Sequence, residues 1–274
     1  VYILLEKLIN KKVYTIIISL VLIYIIVIVF LNFYQRKIIY HPFVNSYSKT
    51  EKEFKYKEVI IETNDNLKLK SWFHEKDIKN KKTLVFFHGN AGDLSNRIYK
   101  LNVLKGLDIN FLILAYRGFS GNLGKPSEKG LYEDAKSTLK WLNELGIKDN
   151  QIIIYGESLG ASVAVEVSQN KNFYGIILEA PFTSMSRIGK KYYPIFPVNL
   201  ILKDKFNTID KLKNIKSPVM VLHGKKDKIV PFEMGEEVFD KLKKPKFSYF
   251  TKEDDHMMEF NEEMFKNLKS FLDQ

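Results

Sequence analysis

QIIIYGESLGASVAVEVS, residues Gln151 to Ser168, changes character in its middle. Ile152 to Tyr155 are strand formers, and Ala161 to Val167 carry small and apolar residues at helical spacing. Between them stands Gly156-Glu157-Ser158-Leu159-Gly160, a G-x-S-x-G joint. A strand that turns sharply into a helix there leaves the serine at the strand's carboxyl end. The helix then aims its free N–H groups and positive end at that spot. The two glycines keep side chains away, so the hydroxyl can stand above a sheet. The bland alternative is a glycine-lined turn whose serine only caps the helix.

The flanking sequence supplies the sheet. Residues 83–89 (TLVFFHG), 110–118 (NFLILAYRG), 175–181 (GIILEAP) and 217–224 (SPVMVLHG) are short apolar runs closed by glycine or proline. KFSYF, residues 246–250, is a later strand. Helical spacing occupies residues 94–107, 127–146, 231–242 and 262–273, with Ser127 as N-cap and Gly146 just past a helix end. EVIIET and LKLKSWFHE, joined by Asn64-Asp65-Asn66, read as an antiparallel pair. Strands alternating with helices imply an α/β fold, a mostly parallel central sheet with helices on both faces. Residues 183–216 break the rhythm with KKYYPIFPVNLIL and read as a small cap inserted above the sheet.

A nucleophilic serine needs a base. Of the five histidines, His41 lies in a connector and His74 in an early strand. His88 and His223 precede glycines at strand ends, positions that shape loops. His256, in EDDHMMEF, follows the last strand, and the order Ser, acid, His leaves room for an acid before it. Asp227, in VLHGKKDKIVP, follows a buried strand and can accept the Nδ1–H of His256. Asp254 and Asp255 share the histidine's own short loop and are poorly aimed; Asp204 and Asp210 lie in the cap region. The oxyanion donors expected are the backbone N–H groups of Asn90, in FFHGNAGD, and of Leu159, the residue after the serine.

At this point FFHGNAGD, AYRGFSGNLGKPSEKGLYEDA, YGESLGASVA, LEAPFTS, VLHGKKDKIVP and DDHMMEF together resemble the α/β-hydrolase superfamily. More narrowly they look like its membrane-anchored branch, related to the α/β-hydrolase-domain protein depalmitoylases. The resemblance runs from about Ile38 to the end. It implies an α/β-hydrolase fold, with triad roles for Ser158, Asp227 and His256. Where that family has DYRG or NYRG this chain has AYRG, with Ala115 replacing a polar residue. Arg117 beside it reads as a structural brace.

Val13 to Phe33, VYTIIISLVLIYIIVIVFLNF, carries no charge and as a helix would be about 31 Å long, near the hydrocarbon thickness of a bilayer. Large and charged residues at its exit fit a retained anchor better than a cleaved signal, and apolar residues on every face fit poorly with a core helix. The expected organisation is therefore tail and transmembrane anchor at 1–37, then a hydrolase domain at 38–274. Basic residues flank both ends almost equally, so the positive-inside rule does not decide orientation. The reading adopted keeps the tail cytoplasmic and the domain outside.

The formal charge of +11 comes from lysines spread along the whole chain rather than from a stripe, so nucleic acid is not an expected partner. There is no cysteine, hence no thiolate nucleophile and no Cys-based zinc site. No metal motif and no P-loop occurs, and no cofactor is expected. The expected function is a membrane-anchored serine hydrolase acting on carboxylic ester or thioester acyl bonds, with the bilayer as its partner. Tyr192, Tyr193, Ile195, Phe196 and Leu200 of the cap are candidate acyl-pocket residues. Two alternatives stay open: a serine peptidase of the same fold, and a catalytically silent, membrane-tethered interaction module.

Overall fold

None of the five residues of Thr83–Phe87 is exposed, because the strand they form lies in the middle of a sheet. Val85 and Phe87 enter one core, and Leu84 and Phe86 enter another on the opposite face. A computed structural model of the chain describes residues 2–42 and 56–274.

The strands are β1 (His41–Pro42), β2 (Lys57–Glu62), β3 (Lys68–His74), β4 (Thr83–Phe87), β5 (Ala91–Gly92), β6 (Asn110–Leu114), β7 (Ile152–Glu157), β8 (Gly175–Glu179), β9 (Val219–Gly224) and β10 (Lys246–Thr251). The helices are α1 (Tyr2–Ile39), α2 (Ile98–Leu104), α3 (Glu128–Glu144), α4 (Leu159–Ser168), α5 (Met185–Tyr192), α6 (Val198–Ile201), α7 (Phe232–Lys241) and α8 (Glu262–Leu272). Eight strands form one sheet in the order β10-β9-β8-β7-β4-β6-β3-β2. The pairs β2–β3 and β3–β6 are antiparallel and the others parallel. Helices α3, α4 and α7 cover one face and α2 and α8 the other. Buried on both sides, the parallel strands need no polar alternation, which is why they read as unbroken apolar runs.

Ser127 caps α3 by accepting a hydrogen bond from the Gly130 N–H, and Gly146 follows its end at φ +86°. The expected helix at residues 94–107 is shorter: α2 is flanked by 3-10 turns at Leu94–Arg97 and Lys105–Leu107. Residues 43–55 of the expected connector lie outside the described residues.

Helix α1 runs past the expected apolar segment and past the boundary drawn after Lys37. Its last turns hold polar groups because the cap satisfies them. Gln35 donates to the Ile201 carbonyl at 3.0 Å and accepts from the Lys203 N–H at 2.7 Å. Arg36 grips Asp204 with two nitrogens at 2.8 and 3.1 Å. Ile39 then joins the core. The cap, α5 and α6, is inserted between β8 and β9.

Candidate active site

Ser158 closes β7 with φ +53° and ψ −112°, a conformation that costs a residue with a side chain about 1–3 kcal/mol. Its neighbours hold it there. A Cβ on Gly156 would lie 2.4 Å from the Gly160 carbonyl oxygen, and one on Gly160 would lie 2.0 Å from the Phe87 oxygen. The glycines thus let the start of α4 pass backbone-to-backbone against β7 and β4, a tighter requirement than clearing space around the serine. Ser158 itself donates its N–H to the Glu179 carbonyl at 2.8 Å, and only 7% of its surface is exposed.

Asp227 sits in the turn after β9. Its Oδ1 accepts the N–H groups of Ile229 and Val230, each at 2.8 Å. Its Oδ2 accepts from His256 Nδ1 at 2.7 Å. Burial opposes ionisation of this carboxyl, but the donors from His223, His256 and the backbone outweigh it and hold its pKa well below the usual range. An ionised carboxylate only accepts, so Nδ1 of His256 carries the proton and Nε2 presents its lone pair.

Glycine brings these two loops together as well. A Cβ on Gly224 would stand 2.2 Å from the Asp254 oxygen, and the Lys226 N–H donates to that same oxygen at 3.0 Å. Asp254 therefore serves through its backbone. Asp255 turns its carboxylate to the Met257 N–H at 2.9 Å rather than to the imidazole. No hydrogen bond joins Ser158 to His256 among the described residues.

The Asn90 loop is held from two sides. From within the fold, Gly89 N–H donates to Glu157 Oε1 at 3.2 Å and Arg97 donates to the Ala91 carbonyl at 2.7 Å. From outside, the Asn90 side chain donates to the Ile39 carbonyl at 2.7 Å and the Asn90 carbonyl accepts from His41 N–H at 2.8 Å. Among the described residues the backbone N–H groups of Asn90 and Leu159 donate to no backbone acceptor.

Two groups escaped sequence reasoning. His223 shapes a loop as expected, but the loop is that of Asp227, which sequence did not show: the His223 Nε2 lies 3.1 Å from Asp227 Oδ2 and 3.1 Å from the Val230 carbonyl. The other is a buried ionic network behind the serine. Glu157 bonds Arg97 and Lys100, each at 2.7 Å, and Lys100 also bonds Glu179 at 2.6 Å, with the Tyr155 hydroxyl 2.7 Å from Glu179. Burial works against the charge on Glu157, yet Arg97 and Lys100 hold its pKa well below the carboxylate range. A signal was present: Arg97 and Lys100 are charges three apart within an apolar pattern. Arg117 does brace loops, with Asp134 at 2.8 Å and Asp65 at 2.6 Å.

A cavity of about 280 Å³ lies between α1 and the cap. Tyr192, Tyr193 and Phe196 line it. Ile195 and Leu200 do not; they point outward, 72% and 86% exposed. Their places on the wall are taken by Leu31, Gln35, Ile38 and Ile39 of α1, which sequence alone could not bring to the cap. The cavity reaches Asn90 at one end and Ile229 of the acid loop. Ile229 also borders a second hollow of about 380 Å³ around His256. Among the described residues no cluster of three or more His, Asp or Glu is placed to hold a metal ion.

Comparison with known proteins places the chain in a family. The model of the prolyl oligopeptidase family matches residues 99–273. An uncharacterised protein of Mycobacterium tuberculosis is 34% identical over 80% of this chain and 79% of its own length. The human α/β hydrolase domain-containing protein 17B is 31% identical over 71% of this chain and 67% of its own. Among solved structures, the Pyrococcus furiosus esterase Pf2001 superposes with a TM-score of 0.69 at 25% identity, covering 85% of this chain and 98% of that one.

Proposed function

Since this chain belongs to the prolyl oligopeptidase family of α/β hydrolases, and is a hydrolase by that kinship, we propose that it is a membrane-anchored serine hydrolase of carboxylic ester or thioester acyl bonds. The observation that carries the reading is the 2.7 Å bond from His256 Nδ1 to an Asp227 whose other oxygen is held by two backbone N–H groups. That arrangement leaves a base with a fixed tautomer and an orienting carboxylate held rigidly in place.

In this reading Ser158 Oγ attacks the acyl carbonyl carbon and passes its proton to His256 Nε2. The Ser158–His256 hydrogen bond forms as substrate closes the site, as often happens when a free enzyme becomes a Michaelis complex. The Asn90 and Leu159 N–H groups receive the oxyanion, each contributing about 3–4 kcal/mol to the transition state. The tetrahedral adduct collapses, and the departing alcohol or thiol takes the proton from His256. Water then attacks the acyl-Ser158 ester with His256 again as base, releasing the carboxylic acid and restoring the serine. Helix α1, charge-free from Val13 to Gln35 and long enough to span, holds the site beside the bilayer. Lipid-like esters and acylated proteins are the substrates that such a position favours.

The family's name favours a second reading, peptide hydrolysis by the same triad. Both are tested by labelling membranes with a fluorophosphonate, comparing wild type with Ser158→Ala. Loss of labelling in the variant and turnover of an acyl-ester series are expected. A folded wild type that takes no label would overturn the proposal. Ser158-dependent release of aminocoumarin from peptides, without ester turnover, would replace it by the second reading.

A further inference from the structure

The side of α1 that meets the cap is a single stripe. Val27, Ile28, Leu31, Asn32, Gln35 and Ile39 share one side and are partly or fully covered, while the other residues from Lys11 to Ile38 stand exposed. Contact begins high on the helix. The Tyr24 hydroxyl donates to the Ile195 carbonyl at 2.7 Å, and its ring stacks on Phe196 with centroids 5.8 Å apart. It ends at the Arg36–Asp204 pair. Tyr24 to Arg36 is about 18 Å of helix, and Tyr24 stands midway between the two charges, Lys12 and Arg36, that bound the uncharged run.

This depth matters. If Lys12 and Arg36 mark the two edges of the hydrocarbon layer, everything level with Tyr24 lies near its centre. Ile195 is level with Tyr24, and Leu200 neighbours Ile201, whose carbonyl is held by α1. Both are large, apolar and mostly exposed, which in water would be unfavourable and in lipid is not. Towards the Arg36 end the character changes as it does at a bilayer edge. Lys203 lies 5.7 Å from the Phe33 ring centroid and Lys37 5.1 Å from that of Tyr34. Paired lysines and aromatics are what membrane–water interfaces select.

We propose that the cap enters the bilayer together with α1, as deep as Tyr24 and Ile195. The cavity between them then receives an acyl chain from the surrounding leaflet without its crossing water. This rests on the anchored-hydrolase reading and adds a surface and a route to it. Helix α1 becomes a wall of the substrate site, through Leu31, Gln35, Ile38 and Ile39, rather than a tether.

The chain has no cysteine, so single-cysteine probes are clean. Ile26→Cys, Ile195→Cys, Leu200→Cys and Lys148→Cys would each carry a nitrobenzoxadiazole label in the full chain, reconstituted in phosphatidylcholine vesicles containing acyl-chain spin-labelled lipid. Labels at 26, 195 and 200 should be blue-shifted and quenched several-fold more than the one at 148. Quenching at 26 with 195 and 200 behaving like 148 overturns the proposal and leaves the anchor intact. No quenching at 26 removes the anchor and the proposal together. Blue-shifted but unquenched labels at 195 and 200 would mean that a second copy covers the cap, which also overturns it. For the cavity, Leu31→Trp should lower the kcat/KM ratio of palmitoyl to acetyl ester tenfold or more, with Leu31→Ala moving it much less. An unchanged ratio in Leu31→Trp overturns the acyl route.

Discussion

His223 Nε2 lies 3.1 Å from Asp227 Oδ2, the same oxygen that holds His256. Its partners there, a carboxylate and the Val230 carbonyl, only accept, so Nε2 carries a hydrogen. The buried Nδ1 has no hydrogen-bond partner among the described residues and packs against Gly235 of α7. In the proposed mechanism His223 touches the reaction only through Asp227, as a positioning residue.

Removing that donor leaves Asp227 one anchor short. A hydrogen bond to a charged group contributes about 1.5–3 kcal/mol, so His223→Phe should lower kcat by about 10- to 100-fold with KM little changed. His223→Gln, which can restore a donor, should recover part of the loss. Steady-state kinetics on one ester checks both, and a purely structural role would move Tm without splitting kcat from KM.

Lys100 is fully buried between Glu157 and Glu179. Lys100→Met would strand buried carboxylates and should destabilise the domain by about 3–5 kcal/mol. Thermal unfolding measures it, and a variant within 1 °C of wild type would contradict the account.

At Gly160 the obstacle to a side chain is backbone on both β4 and the residue after it. Gly160→Ala should fail to give folded protein or lose more than about 3 kcal/mol, whereas the same change at Gly121, where nothing lies within 4 Å, is limited to the strain of its φ of +79°. Soluble yield and chemical denaturation would separate the two.

His88 is buried against Tyr116 and Phe119, with Nδ1 2.7 Å from the Gly89 carbonyl. Burial, helped by Arg97, lowers its pKa to about 3. The unfolded chain binds a proton near pH 6.5 that the folded one refuses until about pH 3, so the unfolded state holds more protons in that window and stability falls as pH drops through it. Tm measured from pH 7 to 4 should decline in wild type and decline less steeply in His88→Leu.

Much of the sheet was legible because parallel strands buried on both faces are continuous apolar runs, and because Ser127 and Gly146 mark helix ends with local chemistry. Asp227 and His256, 29 residues apart, were readable as candidates because each follows a strand, and the structure puts them in contact. What stayed hidden depends on partners far along the chain. Lys100 meets Glu179 across 79 residues, and His223 looks like any histidine before a glycine until Asp227 folds back on it. The cap misled for a different reason: Ile195 and Leu200 are apolar enough for a pocket wall, but α1, distant in sequence, occupies that wall while they face outward.

The carbonyl that ends α1, on Ile39, is the acceptor of the Asn90 side chain. On the anchored reading, a helix unbroken from Tyr2 to Ile39 is a lever, and a bilayer of different thickness is a load on its long arm. The short end of that lever is bolted to Asn90, whose backbone N–H the proposed mechanism assigns to the oxyanion. Cutting the helix away would remove a structural support of the Asn90 loop, and transferring the intact protein from thin to thick lipid would bear on the same loop without changing an atom of it.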